Sequence, residues 1–244
     1  MIADAALVAE RYGARTRCTT LRSEPPLTIR PTGDDGGATV HLIGSAAGPV
    51  GGDALRLSLV AEPHALLTVR SVAATLVLPG SSPDVPSQLD VCARVRSGAH
   101  LRWLPEPTIL VRGCDHRSTI TLHVDSGATV LWRDVTVLGR TGEPSGSVLQ
   151  RLRVDVAGRP ALRADWAVGP RWPASLGPAG VGDAHAVGTA FVVGPDVPNL
   201  RPLPCPGVRV GLANLGRQAA LVTALGREPG AVASAIDTLV APAS

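Results

Sequence analysis

In the stretch "VLWRDVTVLG", Asp134 stands beside Trp132 in an otherwise apolar run. A carboxylate in such a run is costly to bury unless it is paired or hydrated. Arg133 or Arg140 would neutralise it as an ion pair; water and a passing cation would do so as well. Asp53 closes "GPVGGD" directly before the alternating run "LRLSLV". It suits either a cap that accepts backbone N–H bonds at a strand start or a second reactive carboxylate. Two carboxylates about 5 to 9 Å apart in an open cleft serve glycoside hydrolysis. Asp53 and Asp134 therefore define one reading, an enzyme acting on carbohydrate or another small molecule from a β-helical scaffold. In "GCDHRS", Cys114 and His116 lie two apart, on one face if the segment is a strand. Together they suit nickel or zinc, as a transient site or a stand-alone store; the alternative is a reduced surface thiol and an exposed histidine.

Other motifs exclude more than they suggest. A phosphate-cradling loop places its glycines between a strand and a helix, so that free N–H groups converge on the anion. Gly48, Gly51 and Gly52 instead precede a strand-like run with no lysine after it, which fits a bend using torsions closed to other residues. The glycines at 177, 180, 182 and 188 imitate a dinucleotide fingerprint without the strand and helix that it needs. The histidines show no HxxxH or HExxH spacing, and the four cysteines, far apart with no CxxC, read as reduced thiols. The net charge of +3 comes from scattered arginines, and with only 2% aromatics there are few platforms for bases, which argues against nucleic acid. The start "MIADAALVAERYGARTR" lacks the pattern of a secretory signal, and no apolar run is long enough to span a membrane; a cytoplasmic location is expected.

The elements that must hold these residues are strands. "LRLSLVAEPHALLTV", "LDVCARVRSGAHLRWL" and "ITLHVDSGATVLWRDV" share a plan: an alternating run, a short polar turn, then Ala65, Ala99 or Ala128 opening a second run. Alternation buries Leu55, Leu57 and Leu59 on one face. One such pair cannot hide that face alone, so copies should stack and share a core. The expected fold is all-β, one domain over 1–244 built from stacked strand-turn-strand units, either β-helix-like or a sandwich. Further strands are expected at 27–30, 39–43, 108–112, 149–156, 161–168, 188–193 and 209–212. The Gly- and Pro-rich 169–182 reads as a surface loop. A small C-terminal helix is expected over about 229–241, with Val232, Ile236, Leu239 and Val240 as its apolar stripe, Pro229 in its first turn and Pro242 closing it. Pro105 and Pro107 interrupt ladder pairing around Trp103 and Glu106. Trp103, Pro105 and Glu106 thus mark either a partner surface or, for Trp103, core packing.

Several segments, in order, carry a family likeness. "GPVGGDALRLSLV" resembles the "GGIVGGDxLxLxVxL" signature of the urease accessory protein D family. "GARTRCTTLRSEPPLTIRP" is similar to its basic GAxT element and PLxVxRP strand. "AATLVLPG" resembles AATKVYP, with Leu76 and Leu78 in place of lysine and tyrosine. "LRWLPEPTILVRGCD" resembles LEWLPxPxIxFxGA. "WRDVTVLGRTGE" is similar to WExxxLGRxxxGE, with a shorter interval between Arg140 and Glu143. "AVGTAFVVG" resembles VGTxxxxG.

The resemblance implies a scaffold chaperone rather than an enzyme, acting in maturation of nickel-dependent urease. It implies binding to accessory protein F, to the GTPase accessory protein G through F, and to apo-urease. It also implies an internal water-filled passage for nickel in transit, with no cofactor retained. By motif position, Asp53, Thr75, Asp134 and Glu143 are the candidates to line that passage. Oxygen ligands spaced so that each binds weakly suit conduction, whereas a closed Cys/His set would trap the ion.

Overall fold

In the computed structural model the described residues are 1–33, 36–82, 84–195, 197, 200, 201 and 204–241. They form seventeen strands and one α-helix: β1 Ile2–Tyr12, β2 Arg15–Arg22, β3 Leu27–Gly33, β4 Ala38–Gly44, β5 Ala54–Ala61, β6 Leu66–Ser71, β7 Thr75–Val77, β8 Ser87–Val95, β9 His100–Leu104, β10 Thr108–Leu110, β11 Asp115–Val124, β12 Thr129–Val137, β13 Ser147–Val156, β14 Arg159–Val168, β15 Ala186–Val193, β16 Val208–Asn214, β17 Ala219–Gly226 and α1 Pro229–Val240.

The three sequence repeats are β-arches. The two strands of each repeat do not pair with one another; each joins a different sheet. The first runs of the repeats, β5, β8 and β11, pair in parallel, and so do the second runs, β6, β9 and β12. The first sheet has the order β14-β13-β11-β8-β5-β1-β2 and the second β16-β17-β15-β12-β9-β6-β4-β3, with β7 and β10 attached to the latter. All-β, stacked and solenoid-like in its middle, the architecture matches the expectation.

Each arch turns in the same way. His64, Gly98 and Gly127 adopt φ of 61°, 67° and 75°, and the following alanine N–H bonds back to Glu62, Arg96 or Asp125 at 2.9, 2.9 and 3.2 Å. Arches also bond to each other, as His100 N–H does to Ala65 O at 2.8 Å and Thr129 N–H to Ala99 O at 2.9 Å. At Gly98 a side chain is excluded twice, by the torsion and by the His64 ring, 2.4 Å from where a Cβ would stand. Ala65 and Ala99 are fully buried and Ala128 nearly so. Small residues thus let the sheets meet closely at the arch end, while Leu7, Leu57, Leu67, Leu101 and Trp132 fill the interior beyond.

Four strands were not expected from the sequence: β1, β2, β7 and β17. β1 extends the first sheet in parallel beside β5, putting Ala9 opposite Ala61. The C-terminal helix occupies Pro229–Val240 and buries Val232, Ala235, Ile236 and Leu239, with Val240 only half-buried; Pro242 lies outside the described residues. It packs on β12, β15, β16 and β17. Gly188, read above as part of a false fingerprint, seats it: a Cβ there would stand 2.6 Å from both Ile236 and Val232. The 169–182 loop carries a 3-10 turn over Pro173–Leu176. Among the described residues no helix is long and apolar enough to cross a membrane.

In so tightly buried an arch column, Ala99→Leu forces the three extra carbon atoms of the larger side chain in between Ala65 and Ala128. It should destabilise the fold by about 1–3 kcal/mol. An unchanged midpoint in chemical denaturation would show that the column has room.

Candidate functional site

The inner faces of the two sheets change character along their length. At the arch end they are aliphatic; at the opposite end they enclose a cavity of about 150 Å³ with polar groups on both walls. The first sheet contributes His116, Ser118 and Gln150, and the second contributes Ser71, Thr75, Thr108, Asp134 and Thr136.

The space arises from unequal spans in neighbouring strands. Between the Trp103/Trp132 pair and the Thr108/Thr136 pair, β12 takes four residues and β9–β10 five; from Val69 to Thr75, β6–β7 takes six. Pro105 and Pro107 explain the break in the middle strand, because neither has an N–H to give the ladder. β12 runs on unbroken past it. Asp134 therefore sits on a continuous strand facing the gap in its neighbours. Beyond the gap the strands realign, and Thr75, Thr108 and Thr136 stand in register across β7, β10 and β12.

Asp134 is held by indoles. Trp103 Nε1–H donates to Oδ1 at 2.9 Å and Trp132 Nε1–H to Oδ2 at 2.7 Å. The two rings stack at 4.4 Å and 7°. Gln150 Nε2–H also reaches Oδ2, at 3.4 Å, and accepts from Trp166 Nε1–H through its own carbonyl. Three of the four tryptophans in a chain that is 2% aromatic thus serve one carboxylate. The carboxylate touches the cavity but lies deep in the protein, and this burial raises its pKa despite the indole and Gln150 hydrogen bonds and the nearby Arg133 charge.

The salt-bridge explanation for Asp134 does not hold at contact range. Arg133 points to the outer face and pairs with Asp237 of α1 at 2.5 Å, and Arg140 pairs with Glu143 at 2.8 Å. Strand alternation is the reason: residue 133 faces away from the side that residue 134 faces.

The other candidates separate. Thr75 lines the cavity with Asp134. Asp53 does not; it is buried at the turn before β5, where Oδ2 accepts Val50 N–H at 2.8 Å and Oδ1 meets the Met1 ammonium at 2.6 Å. The enzyme reading needs Asp53 and Asp134 on one open cleft, and only Asp134 is on this one. Glu143 organises its own loop, accepting from Arg112 N–H at 3.1 Å and from the Arg140 guanidinium, and these contacts hold its carboxyl down at about 2. Gly48 and Gly52 have φ of 144° and 93°, as a bend requires. Gly51 is glycine for a different reason than torsion: a Cβ would come within 2.6 Å of Gly80 N.

Cys114 and His116 are both buried, which corrects the reading of a surface thiol and an exposed histidine. Cys114 ends a loop and packs in an apolar cluster with Val77 and Leu110, and burial pushes its thiol up to about 12. His116 lines the cavity; its Nδ1 bonds Ser87 Oγ at 2.8 Å, and burial lowers it to about 4, so the ring is neutral at neutral pH. Trp103, a candidate for partner contact, is buried in the site instead. Pro105 and the exposed Glu106 lie at the cavity rim, where Glu106 N–H bonds Ser71 Oγ at 2.9 Å.

Sequence reading missed Thr108, Thr136, Ser118, Gln150 and Trp166. A signal for two of them exists: aligned on Ala65, Ala99 and Ala128, the repeats carry a threonine ten, nine and eight residues later, at Thr75, Thr108 and Thr136. The decreasing offset is the widening bulge.

A double layer of stacked β-arches around an internal cavity, mostly apolar in its lining but with polar groups on both walls, defines the class: a β-solenoid sandwich with an internal compartment. The chain belongs to the UreD family of urease accessory proteins, whose description, "UreD urease accessory protein", matches residues 1–243. It is 39% identical over 260 residues to the urease accessory protein UreD of Parafrankia sp. (strain EAN1pec), covering 97% of this chain and 87% of that one. The UreD of Streptomyces avermitilis is 37% identical, with 88% of each chain covered. That of Frankia casuarinae is 39% identical over 74% of this chain and 65% of its own length, so this chain spans a little under two thirds of that relative.

Two consequences for stability follow from the indole cage. Trp132→Phe keeps the stacked ring but removes the shorter N–H bond to a buried carboxylate, and should cost about 1–3 kcal/mol, read by urea denaturation at neutral pH. Because the Asp134 pKa is raised on folding, its contribution is greatest below the unfolded value and is lost as pH rises through the folded one. The wild type should therefore lose stability relative to Asp134→Asn across that rise. Parallel stability curves for the two proteins would show that folding does not shift this group.

Proposed function

We propose that this chain is a non-enzymatic scaffold of urease maturation, bridging apo-urease to accessory protein F and, through F, to the GTPase accessory protein G. In this reading its interior conducts nickel as cargo, and no cofactor is retained. The observation that carries it is the cavity between the sheets, with Asp134, the Thr75–Thr108–Thr136 row, His116 and Gln150 on its walls. A cation in transit needs oxygen and neutral nitrogen donors that replace part of its water shell without closing around it. Hydroxyls, one carboxylate and one neutral imidazole spread over both walls meet that requirement. Among the described residues no three His, Cys, Asp or Glu side chains gather as a ligand set. The family membership supports the same role, since the relatives carry the name urease accessory protein.

In its ionised form Asp134 is the deepest negative charge the cavity offers a divalent ion, and the indoles hold it in place without adding a compensating positive charge. In cells co-expressing urease and its maturation proteins, Asp134→Ala should lower the nickel content of purified urease several-fold, while the chain still co-purifies with accessory protein F. Thr108→Leu, which narrows the corridor with an apolar side chain, should act in the same direction. Full nickel occupancy with both variants, measured by elemental analysis, would remove the corridor from the pathway.

A further inference from the structure

The two outer faces of the sandwich differ in how they handle charge. On the first sheet acids stand among bases: Asp4 pairs with Arg22 at 2.8 Å, Asp165 with Arg153 at 2.5 Å and Arg151 at 3.6 Å, and Asp155 with Arg163 and His123. Arg56 lies directly opposite Asp90 in the ladder. On the second sheet, ion pairs such as Arg133–Asp237 are found on the half that carries α1, and the open half has none among the described residues. Strands β3, β4, β6 and β9 contain no Asp or Glu, yet carry Arg30, His41, Arg70, His100 and Arg102.

Register puts these residues on one surface. Arg30 is opposite His41, His41 opposite Arg70, and Arg70 opposite Leu104; Arg102 is opposite Thr68, itself opposite Thr39. The three arginines are exposed, and among the described residues none of them forms an ion pair. Arg30 and Arg70, two strands apart, stand roughly 10 Å from one another. The helix α1 covers the other half of this same face, over β12, β15 and β17. Where it ends, a groove of about 620 Å³ runs between helix and open strands, with Leu131, Leu200 and Val240 beside His100 and Arg102.

We infer that the open half of the second sheet, Arg30, Arg70 and Arg102 with the groove beside α1, is a docking surface for an acidic, amphipathic segment of a protein partner. A row of unneutralised guanidiniums on a flat sheet is a potential that attracts carboxylates and steers association. The aliphatic groove next to it takes apolar side chains, which a phosphate backbone does not have. Scarcity of aromatic platforms counts against nucleic-acid bases on this surface. The inference rests on the scaffold reading and specifies the chemistry of one of its interfaces.

The test uses the full chain, purified accessory protein F and apo-urease as separate probes, and two charge-reversed variants. Arg70→Glu with Arg102→Glu alters the proposed surface; Arg94→Glu with Arg117→Glu makes the same change in net charge on the first sheet. Thermal unfolding confirms that both are folded. Affinity of the wild type for one of the two proteins should fall with added salt. The Arg70/Arg102 variant should lose about tenfold or more of that affinity, and the Arg94/Arg117 variant much less. Equal losses in the two variants, or none in either, would overturn the surface while leaving the scaffold reading intact. So would retention of protein binding together with loss of binding to phosphatidylserine vesicles or duplex DNA, which would assign the face to lipid or nucleic acid. If the wild type binds neither protein, the scaffold reading fails and this inference with it.

Discussion

The arrangement depends on one constraint: at each arch the chain crosses from one sheet to the other instead of folding back into a hairpin. A hairpin would place both runs of a repeat side by side and leave their apolar faces on the same surface. The arch turns the second run over the first, so that Leu57 of one sheet and Val69 of the other both face inward. Stacking the arches in parallel then extends this interior, with backbone bonds between successive turns setting the spacing. Because the three arch crossings of the central stack occur at the same end, that end is closed by tight turns and packed with alanine. The return crossings, between Val77 and Ser87, Leu110 and Asp115, and Val137 and Ser147, lie at the opposite end beyond the break in the second sheet, and the interior opens between the two.

What fills the open end is governed by the cost of burying charge. An isolated carboxylate in a protein interior is expensive, and the usual remedy is an adjacent cation. Asp134 has instead two indole N–H groups on its oxygens and an amide at longer range. This choice has a chemical consequence. A bound arginine would cancel the field that a divalent ion needs, whereas neutral donors stabilise the carboxylate and leave its charge in place. The stacked Trp103 and Trp132 also stiffen the break in β9, because the rings stay in register two residues before Pro105, where the strand departs. Structural support and electrostatics come from the same pair of side chains.

Much of the fold was legible because strand periodicity and turn chemistry are local. Leu55, Leu57 and Leu59 announce a buried face, and the three polar turns before Ala65, Ala99 and Ala128 mark the arches. β1 was less legible, since "IADAALVAERY" alternates alanine with mixed residues and could pass for a helix start; its partner β5 lies some fifty residues away. The site was legible in part. Asp134 stood out as an acid in an apolar strand, but its partners did not, because Trp103, Gln150 and Trp166 come from three other strands in two sheets. Proximity in sequence misled twice: Arg133 is next to Asp134 in the chain and on the opposite face, and Cys114 and His116 share a motif but end in different surroundings.

The widening break in the second sheet also ties the interior to one exterior surface. The bulge grows from β12 through β9 to β6, so the cavity enlarges toward the edge formed by β3 and β4, and Pro26, Leu42, Ile43 and Gly44 line it there. β3 carries the exposed Arg30, and the neighbouring β6 and β9 carry Arg70 and Arg102. Ser71, on the cavity wall, directly follows Arg70, and Glu106 at the rim bonds to Ser71. A protein lying on the basic face would therefore sit beside the opening without having to enter it. Its carboxylates would raise the local concentration of cations at the mouth, and its contacts at β6 and β9 would bear on the two strands whose breaks make the cavity. In the proposed scaffold, binding outside and passage inside would share the same short segments, 71–74 and 105–107, where the chain leaves the ladder.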